Sequence, residues 1–156
     1  MKIKTSGFTL IELLIAVVII GILSSIAISN YTDSINRSKR ADAQGALLGV
    51  AQALERFYAN NSTYCGAAGT QPPTAATIAA CATGAPTVYA ATVPGTGTAY
   101  YNLRITTLAQ NNYTLEAQRA GSMVSDKCGT LTLGANGAQG VSGSTGGMTA
   151  VTCWKK

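Results

Sequence analysis

Histidine is absent from this chain, and charged residues make up only 11% of its 156 positions. Without an imidazole, a serine or cysteine nucleophile would lack its usual general base. The four cysteines form no Cys-X-X-Cys pair, so the spacing typical of zinc sites is missing. A GxxxxGK[ST] phosphate-binding loop is also missing from the sequence. We therefore expect neither an enzyme nor a resident metal or cofactor.

One long apolar run stands out against this polar background. It extends from Phe8 to Ile28 and contains a single charged residue, Glu12. About 20 apolar residues suffice to cross a bilayer. A secretory signal peptide fits less well, because its apolar core is about half as long and its cleavage site follows that core. A carboxylate costs a few kcal/mol in hydrocarbon unless it is paired, so Glu12 requires a partner.

The residues around this charge form a recognisable motif, Gly7-Phe8-Thr9-Leu10-Ile11-Glu12-Leu13. The motif resembles the processing signature of type IV pilins. That resemblance implies that a prepilin peptidase cuts after Gly7 and N-methylates the new amino terminus, Phe8. It divides the chain into a leader (1–7), a hydrophobic half-helix for the membrane and the filament core (8–30), and a globular head (31–156). Its implied partners are the membrane before assembly, the inner-membrane pilus assembly machinery and other pilin subunits in a helical filament.

The spacing between Phe8 and Glu12 has its own physical reading. Residues four apart lie on the same helix face, about one turn from each other. After cleavage, the ammonium group of Phe8 can neutralise Glu12 within one subunit or between neighbouring subunits, and the second pairing would set the axial register of a filament. A polar residue placed by chance near the membrane interface, where it costs little, is the alternative.

All four cysteines, Cys65, Cys81, Cys128 and Cys153, lie outside the apolar run. Four cysteines allow three pairings, of which Cys65–Cys81 with Cys128–Cys153 is the simplest. The second pair resembles the disulfide that closes the carboxyl-terminal D-region of many type IV pilins. Each loop closure should stabilise the fold by about 3 kcal/mol.

Lys2 and Lys4 place the leader in the cytoplasm by the positive-inside rule. The head is therefore expected in the periplasm and, after assembly, on an extracellular pilus.

Beyond the apolar run, hydrophobic residues recur at spacings of three and four, which predicts an amphipathic helix face. This face comprises Ile35, Leu47, Leu48, Val50, Ala51, Leu54, Phe57 and Tyr58, and polar residues including Gln44 occupy much of the rest. We expect one helix from about Phe8 to Ala59, with two helices broken near Asn30 as the alternative. Many pilins have a proline where this chain has Ser29, so a sharp kink is not expected. The small residues from Gly21 to Ser29 either melt on assembly or allow close helix contact.

The remaining sequence predicts a small sheet. Tyr64 to Gly97 is rich in Ala, Thr, Gly and Pro, and corresponds by resemblance to the variable αβ-loop of pilins. Three alternating segments then predict an antiparallel meander covered by the amphipathic half-helix: Ala99–Thr106, Tyr113–Gln118 and Lys127–Leu133. The expected fold class is therefore α+β, a long amino-terminal helix packed on a small antiparallel sheet with disulfide-closed loops. Trp154 beside Cys153 is read as a packing anchor.

Three functions follow from these features. The first is a structural subunit of a type IV pilus, serving adhesion, motility or DNA uptake. The second is a minor pilin or a type II secretion pseudopilin, although pseudopilins often lack the carboxyl-terminal disulfide. The third, of another class, is a head that binds DNA or a host surface through a basic patch, with a merely solvated face as its alternative. The candidate patch residues are Arg104, Arg119, Lys127, Lys155 and Lys156.

Overall fold

The computed structural model describes residues 8–69 and 81–155, apart from the side chains of residues 29 and 30. The leader with Gly7, the Pro72-Pro73 pair, the side chain of Ser29 and Lys156 therefore lie outside the described residues. The chain divides into two compact units, one ending at Ile35 and the other beginning at Asn36.

Helix α1 extends from Leu10 to Asn61, which is two residues later at each end than the sequence predicts. The backbone is helical throughout this range, so the break considered near Asn30 is not found. The helix ends where Ser62 adopts a left-handed conformation with φ 55° and its backbone N–H donates to the carbonyl of Tyr58. This conformation disfavours further helical turns for a residue with a side chain.

The second unit contains one five-stranded antiparallel sheet in the order β1-β2-β3-β4-β5. Its strands are β1 (Thr92–Val93), β2 (Tyr101–Ala109), β3 (Asn112–Arg119), β4 (Thr130–Gly134) and β5 (Gln139–Ser142). A single 3-10 turn (Gly121–Met123) follows β3, and a short helix α2 (Ala150–Trp154) follows β5. Each strand pairs with its neighbour in sequence, as expected for a meander joined by short connections.

The predicted third strand began too early. It was expected from Lys127, but β4 begins at Thr130. Cys128 is held in a disulfide, and Gly129 has a φ of 74°, which is outside the extended region. The sequence prediction also missed β1, β5 and α2, because strands of two and four residues and a five-residue helix are too short for a periodic pattern.

The core of the second unit lies between α1 and the sheet. Alternate residues of the strands face the helix, and the members of this core all fall between Ala43 and Cys153. Among the largest fully buried side chains are Leu47, Leu54, Tyr101, Leu103, Ile105, Leu115 and Leu131. The predicted α+β fold, with a helix packed on a small antiparallel sheet, is confirmed.

Two residues of α1 lie on a different face of the helix from the one predicted. Leu48 was assigned to the apolar face but is 48% exposed, because Leu47, Val50 and Leu54 define the buried direction. Gln44 was assigned to the polar face but is buried. Its amide Nε2 donates to the backbone carbonyl of Cys153 at 2.9 Å, which satisfies the polar group in the interior.

Candidate functional site

The predicted processing and assembly residues lie at the start of α1. Thr9 precedes the first helical residue, and its carbonyl accepts the first helical hydrogen bond from Leu13 at 3.2 Å. The Thr9 hydroxyl oxygen accepts the backbone N–H of Glu12 at 3.3 Å, and this hydroxyl lies 3.4 Å from the Glu12 carboxylate. These are the contacts of a helix N-cap with a Thr-X-X-Glu sequence, a signal that can be read directly from the chain.

Glu12 thus stabilises the first turn of α1, where an anion also interacts favourably with the helix dipole. Its pairing with an ammonium group at Phe8 remains a prediction, because that group forms only after cleavage behind Gly7. Gly7 itself lies outside the described residues.

The apolar residues that follow Glu12 are exposed on every side of the helix. Large hydrophobic side chains from Phe8 to Ile28 have exposed fractions between 51% (Val18 and Ile19) and 84% (Leu10). By length and composition, α1 is also apolar enough to cross a membrane. A continuous apolar surface of this kind marks a contact with lipid or with other protein.

The head contains two disulfides among its described residues, Cys65–Cys81 and Cys128–Cys153, which is the nearest-neighbour pairing. Cys128 precedes β4 and Cys153 lies within α2, so this bond closes the carboxyl-terminal region. Thr149 caps α2 by accepting the backbone N–H of Thr152, whose hydroxyl in turn accepts the N–H of Thr149.

A buried ion pair connects this disulfide to α1. The Arg40 guanidinium donates to the Asp126 carboxylate at 3.0 Å, and the two side chains are only 14% and 5% exposed. The same Arg40 nitrogen lies 3.0 Å from Sγ of Cys128, and the other Asp126 oxygen accepts the N–H of Cys128 at 3.3 Å. Arg119 donates to the backbone carbonyl of Asp126. Sequence reasoning missed this network, because the spacing of Arg40 and Asp126 in the chain gives no sign that they meet.

Trp154 lies beside Cys153 and is partly buried against the core. Its indole N–H donates to the carbonyl of Gly140 in β5 at 2.9 Å. The side chain therefore ties α2 to the sheet edge, in agreement with its reading as a packing anchor.

The basic residues predicted to form one patch are dispersed. Arg104 is exposed on the sheet face opposite the core and pairs in register with Glu116 of β3. Arg119 falls in the core-facing alternation of β3, where its guanidinium is engaged by Asp126. Lys127 and Lys155 are exposed near the closed carboxyl-terminal region, and Lys156 lies outside the described residues.

A cluster of tyrosines surrounds one carboxylate at the other end of the head. The hydroxyls of Tyr64 and Tyr113 donate to Glu55 at 3.0 and 3.1 Å, and the two rings meet edge to face. Burial, followed by the hydrogen bond to Glu55, raises the pKa of Tyr64 to about 12. The same two causes raise the pKa of Tyr113. A third tyrosine, Tyr100, donates to a different carboxylate, that of Asp42, at 2.7 Å, and burial with this bond raises its pKa to about 12. The neutral, donating forms persist well above neutral pH, so these contacts are structural.

In the residues that the structure describes, no group of three or more His, Cys, Asp or Glu side chains is placed to hold a metal ion.

Two protein-family models match the chain. The model described as "Prokaryotic N-terminal methylation motif" matches residues 2–28. The model described as "Type IV minor pilin ComP, DNA uptake sequence receptor" matches residues 29–132, which is about two-thirds of the chain.

The individual proteins that are similar to this chain match a shorter part of it than the ComP family model does. The type IV major pilin PilA of Myxococcus xanthus is 43% identical over 61 residues, which cover 39% of this chain and 28% of that protein. The type IV major fimbrial protein FimA of Dichelobacter nodosus is 48% identical over 59 residues, which cover 35% of this chain and 37% of that protein. The chain thus spans well under half of the length of these relatives.

A solved type IV pilin from Shewanella oneidensis superposes with a TM-score of 0.45 at 25% identity, covering 78% of this chain and 99% of that one. The fold assignment rests on the strands and helices described above and on the family model that matches residues 29–132. From the methylation motif at its start and the family model that matches most of its length, the chain belongs to the type IV pilins, in the family described as type IV minor pilin ComP, DNA uptake sequence receptor.

Proposed function

We propose that this protein is a subunit of a type IV pilus, which enters the fibre through its apolar amino-terminal helix. The exposed apolar surface from Phe8 to Ile28 is the observation that supports this role most directly. In the inner membrane, lipid would cover that surface. After extraction, the helices of other subunits would replace the lipid, because apolar area of this extent is not stable in water.

The proposal assigns separate roles to Gly7, Phe8 and Glu12 of the processing motif. A prepilin peptidase cuts after Gly7 and methylates Phe8, and the assembly machinery of the inner membrane then receives the mature subunit. Glu12 is buried in the fibre only if its charge is matched, because an unpaired carboxylate in an apolar environment costs several kcal/mol. The amino terminus of a neighbouring subunit supplies the matching charge and fixes the register.

Glu12→Ala tests this assignment, with Glu116→Ala in the head as the matched control. We expect Glu12→Ala to be cleaved normally but to yield few fibres, whereas Glu116→Ala should assemble like the wild type. Processing is followed by the size of the protein on gels, and assembly by the amount sheared from cells. A wild-type fibre yield from Glu12→Ala would refute the register role. Replacing Gly7 by a bulky residue should leave the precursor uncut, and normal cleavage would contradict the assigned processing site.

We further propose that the head serves as a DNA receptor at low abundance in the fibre. This second role is favoured by the match of residues 29–132 to a family described as a minor pilin and DNA uptake sequence receptor. The charge of the head agrees with it: from Tyr31 onwards there are nine Lys and Arg residues and five Asp and Glu residues. An excess of positive charge attracts the DNA backbone.

Two measurements test the receptor role. The mature full-length protein, purified in a non-ionic detergent, should bind duplex DNA with an affinity that falls steeply as KCl is raised. Absence of binding at low salt would eliminate the role. Immunogold labelling of intact cells should give sparse signal along fibres, and dense labelling along whole fibres would identify a major subunit instead.

A further inference from the structure

A basic cleft lies where α1 meets the closed carboxyl-terminal region of the head. It has a volume of about 380 Å³ and is lined by Arg37, Arg40, Cys128, Met148, Thr152 and Lys155. Three of these six residues are cationic, and none of those that the structure describes in the lining is acidic. The cleft therefore differs from the rest of the head surface, where Asp42, Glu55 and Glu116 lie among the basic residues.

The three cations do not contribute equally. Arg40 is largely buried, and its charge is matched by Asp126 at 3.0 Å, so that pair is close to neutral. Arg37 and Lys155 are both exposed and supply a net charge of two at the rim. Arg37 and Arg40 lie three residues apart on α1 and so share one helix face. Lys155 follows α2 directly, and the Cys128–Cys153 disulfide fixes the position of that helix.

We propose that this cleft binds a backbone phosphate of DNA, with Arg37 and Lys155 as the contacting residues and Arg40 as the positioning residue. The inference rests on the receptor role proposed above and names the surface that would perform it. A guanidinium binds phosphate oxygens through two parallel N–H groups, and an ammonium binds them as a point charge. The two sources of charge come from elements far apart in sequence, and the buried Arg40–Asp126 pair with the disulfide holds them around one opening.

A phosphate contact makes a distinctive prediction. Each phosphate neutralised on duplex DNA contributes about 0.9 to the slope of log affinity against log salt concentration. Backbone contacts do not carry sequence information, so their loss weakens binding to all sequences by the same factor. The cleft therefore contributes affinity and orientation, while any recognition of sequence belongs to other parts of the head.

The experiment compares two double variants of the full-length mature protein in detergent. Arg37→Gln with Lys155→Gln removes both exposed charges of the cleft. Arg56→Gln with Arg104→Gln removes two exposed charges elsewhere and is the matched control. Arg56 lies 16 residues beyond Arg40 on α1, which corresponds to about 24 Å. All four residues are exposed, so the substitutions should leave the fold intact.

Binding to two duplexes of equal length and different sequence is measured over a range of KCl concentrations. We expect the cleft variant to lower the salt slope by about 1, to weaken binding at low salt, and to leave the affinity ratio of the two duplexes unchanged. The control variant should retain the wild-type slope to within about half a unit, because its two charges make no phosphate contact.

Every other outcome overturns the cleft assignment in an identifiable way. A wild-type slope in the cleft variant would refute the phosphate site while the receptor role stands. Equal losses in both variants would mean that the overall charge of the head attracts DNA without a defined site. If the wild-type protein binds no DNA, the receptor role itself fails. Unchanged DNA binding combined with a loss of fibres would make the cleft a contact between subunits.

Discussion

The buried Arg40–Asp126 pair allows the sharpest stability prediction, through the substitution Asp126→Ala. The Asp126 side chain is 5% exposed and accepts from two donors, Arg40 at 3.0 Å and the backbone N–H of Cys128 at 3.3 Å. Its removal leaves a guanidinium that is 14% exposed without its counter-ion and a buried N–H without its acceptor.

The size of the effect follows from these two losses. Removing one member of a buried ion pair costs about 3–5 kcal/mol, and leaving a buried N–H unpaired costs about 1–3 kcal/mol. Arg40 retains some contact with water and with Sγ of Cys128, so the lower part of each range applies. We expect Asp126→Ala to reduce the free energy of unfolding by about 4 kcal/mol, a large share of the roughly 5–15 kcal/mol that stabilises a domain of this size.

The assay is urea unfolding at pH 7 of the fragment 31–156, with disulfides intact, followed by circular dichroism. This fragment includes every member of the buried core, since those residues lie between Ala43 and Cys153. Asp42→Ala is the matched control, because Asp42 is exposed and accepts a hydrogen bond from Tyr100. That control should cost no more than about 1 kcal/mol.

A double-mutant cycle then separates the pair from its surroundings. Replacing both partners by apolar residues, Arg40→Met with Asp126→Leu, removes the unpaired charge that each single variant leaves behind. The single variants of this cycle are Arg40→Met and Asp126→Leu. We expect the double variant to lose at least about 1.5 kcal/mol less stability than the two single variants lose together. A loss below about 1 kcal/mol for Asp126→Ala, or strict additivity in the cycle, would refute the reasoning.

Three further predictions use the same fragment and the same urea assay. The Tyr101 hydroxyl is buried without a hydrogen-bond partner in the described structure, so Tyr101→Phe should stabilise the fold by about 1 kcal/mol; a loss of similar size would reveal a partner for the hydroxyl. A side chain at Gly129 (φ 74°) would collide with the backbone carbonyl of Ser142, so Gly129→Ala should cost about 3 kcal/mol, against about 1–2 for Gly137→Ala, which has a similar φ of 77° but open space. Equal losses from the two glycine variants would contradict the collision. The pKa of Tyr64 and of Tyr100 is raised to about 12 in the fold, from about 10 in an unfolded chain. Stability from these groups should therefore be complete below about pH 10 and decline as the pH rises towards 12, and Tyr64→Phe with Tyr100→Phe should flatten that decline.

Much of the fold was readable from local patterns. The alternation of Tyr101, Leu103 and Ile105 predicted a strand with one buried face, and these three residues are almost completely buried. The recurrence of Leu47, Val50 and Leu54 likewise predicted the buried side of α1. Such patterns succeed because the side-chain periods of strands and helices are fixed by backbone geometry. The motif from Gly7 to Leu13 indicated the family, because its residues are adjacent in sequence and can be read without the fold.

The arrangement of charged and polar side chains on the head could not be predicted from local patterns. Arg104 and Arg119 are both isolated cations in the sequence. The strand alternation leaves Arg104 exposed on the outer face of the sheet, whereas the Arg119 guanidinium donates to the backbone carbonyl of Asp126. Arg37, Arg40 and Lys155 come together only because α1 packs beside the segment closed by Cys128 and Cys153. The burial of Gln44 depends on the carbonyl of Cys153, 109 residues away in the chain.

The sequence by itself determined the apolar helix, its single charge, the strand faces and the family. These features depend on residues within a few positions of each other, where chain geometry alone sets the spacing. Only the tertiary structure decided which charges are neutralised inside the head and which remain at its surface. That division depends on contacts between α1, the sheet and the carboxyl-terminal region, and the cost of burying an unpaired charge selects among the possible partners.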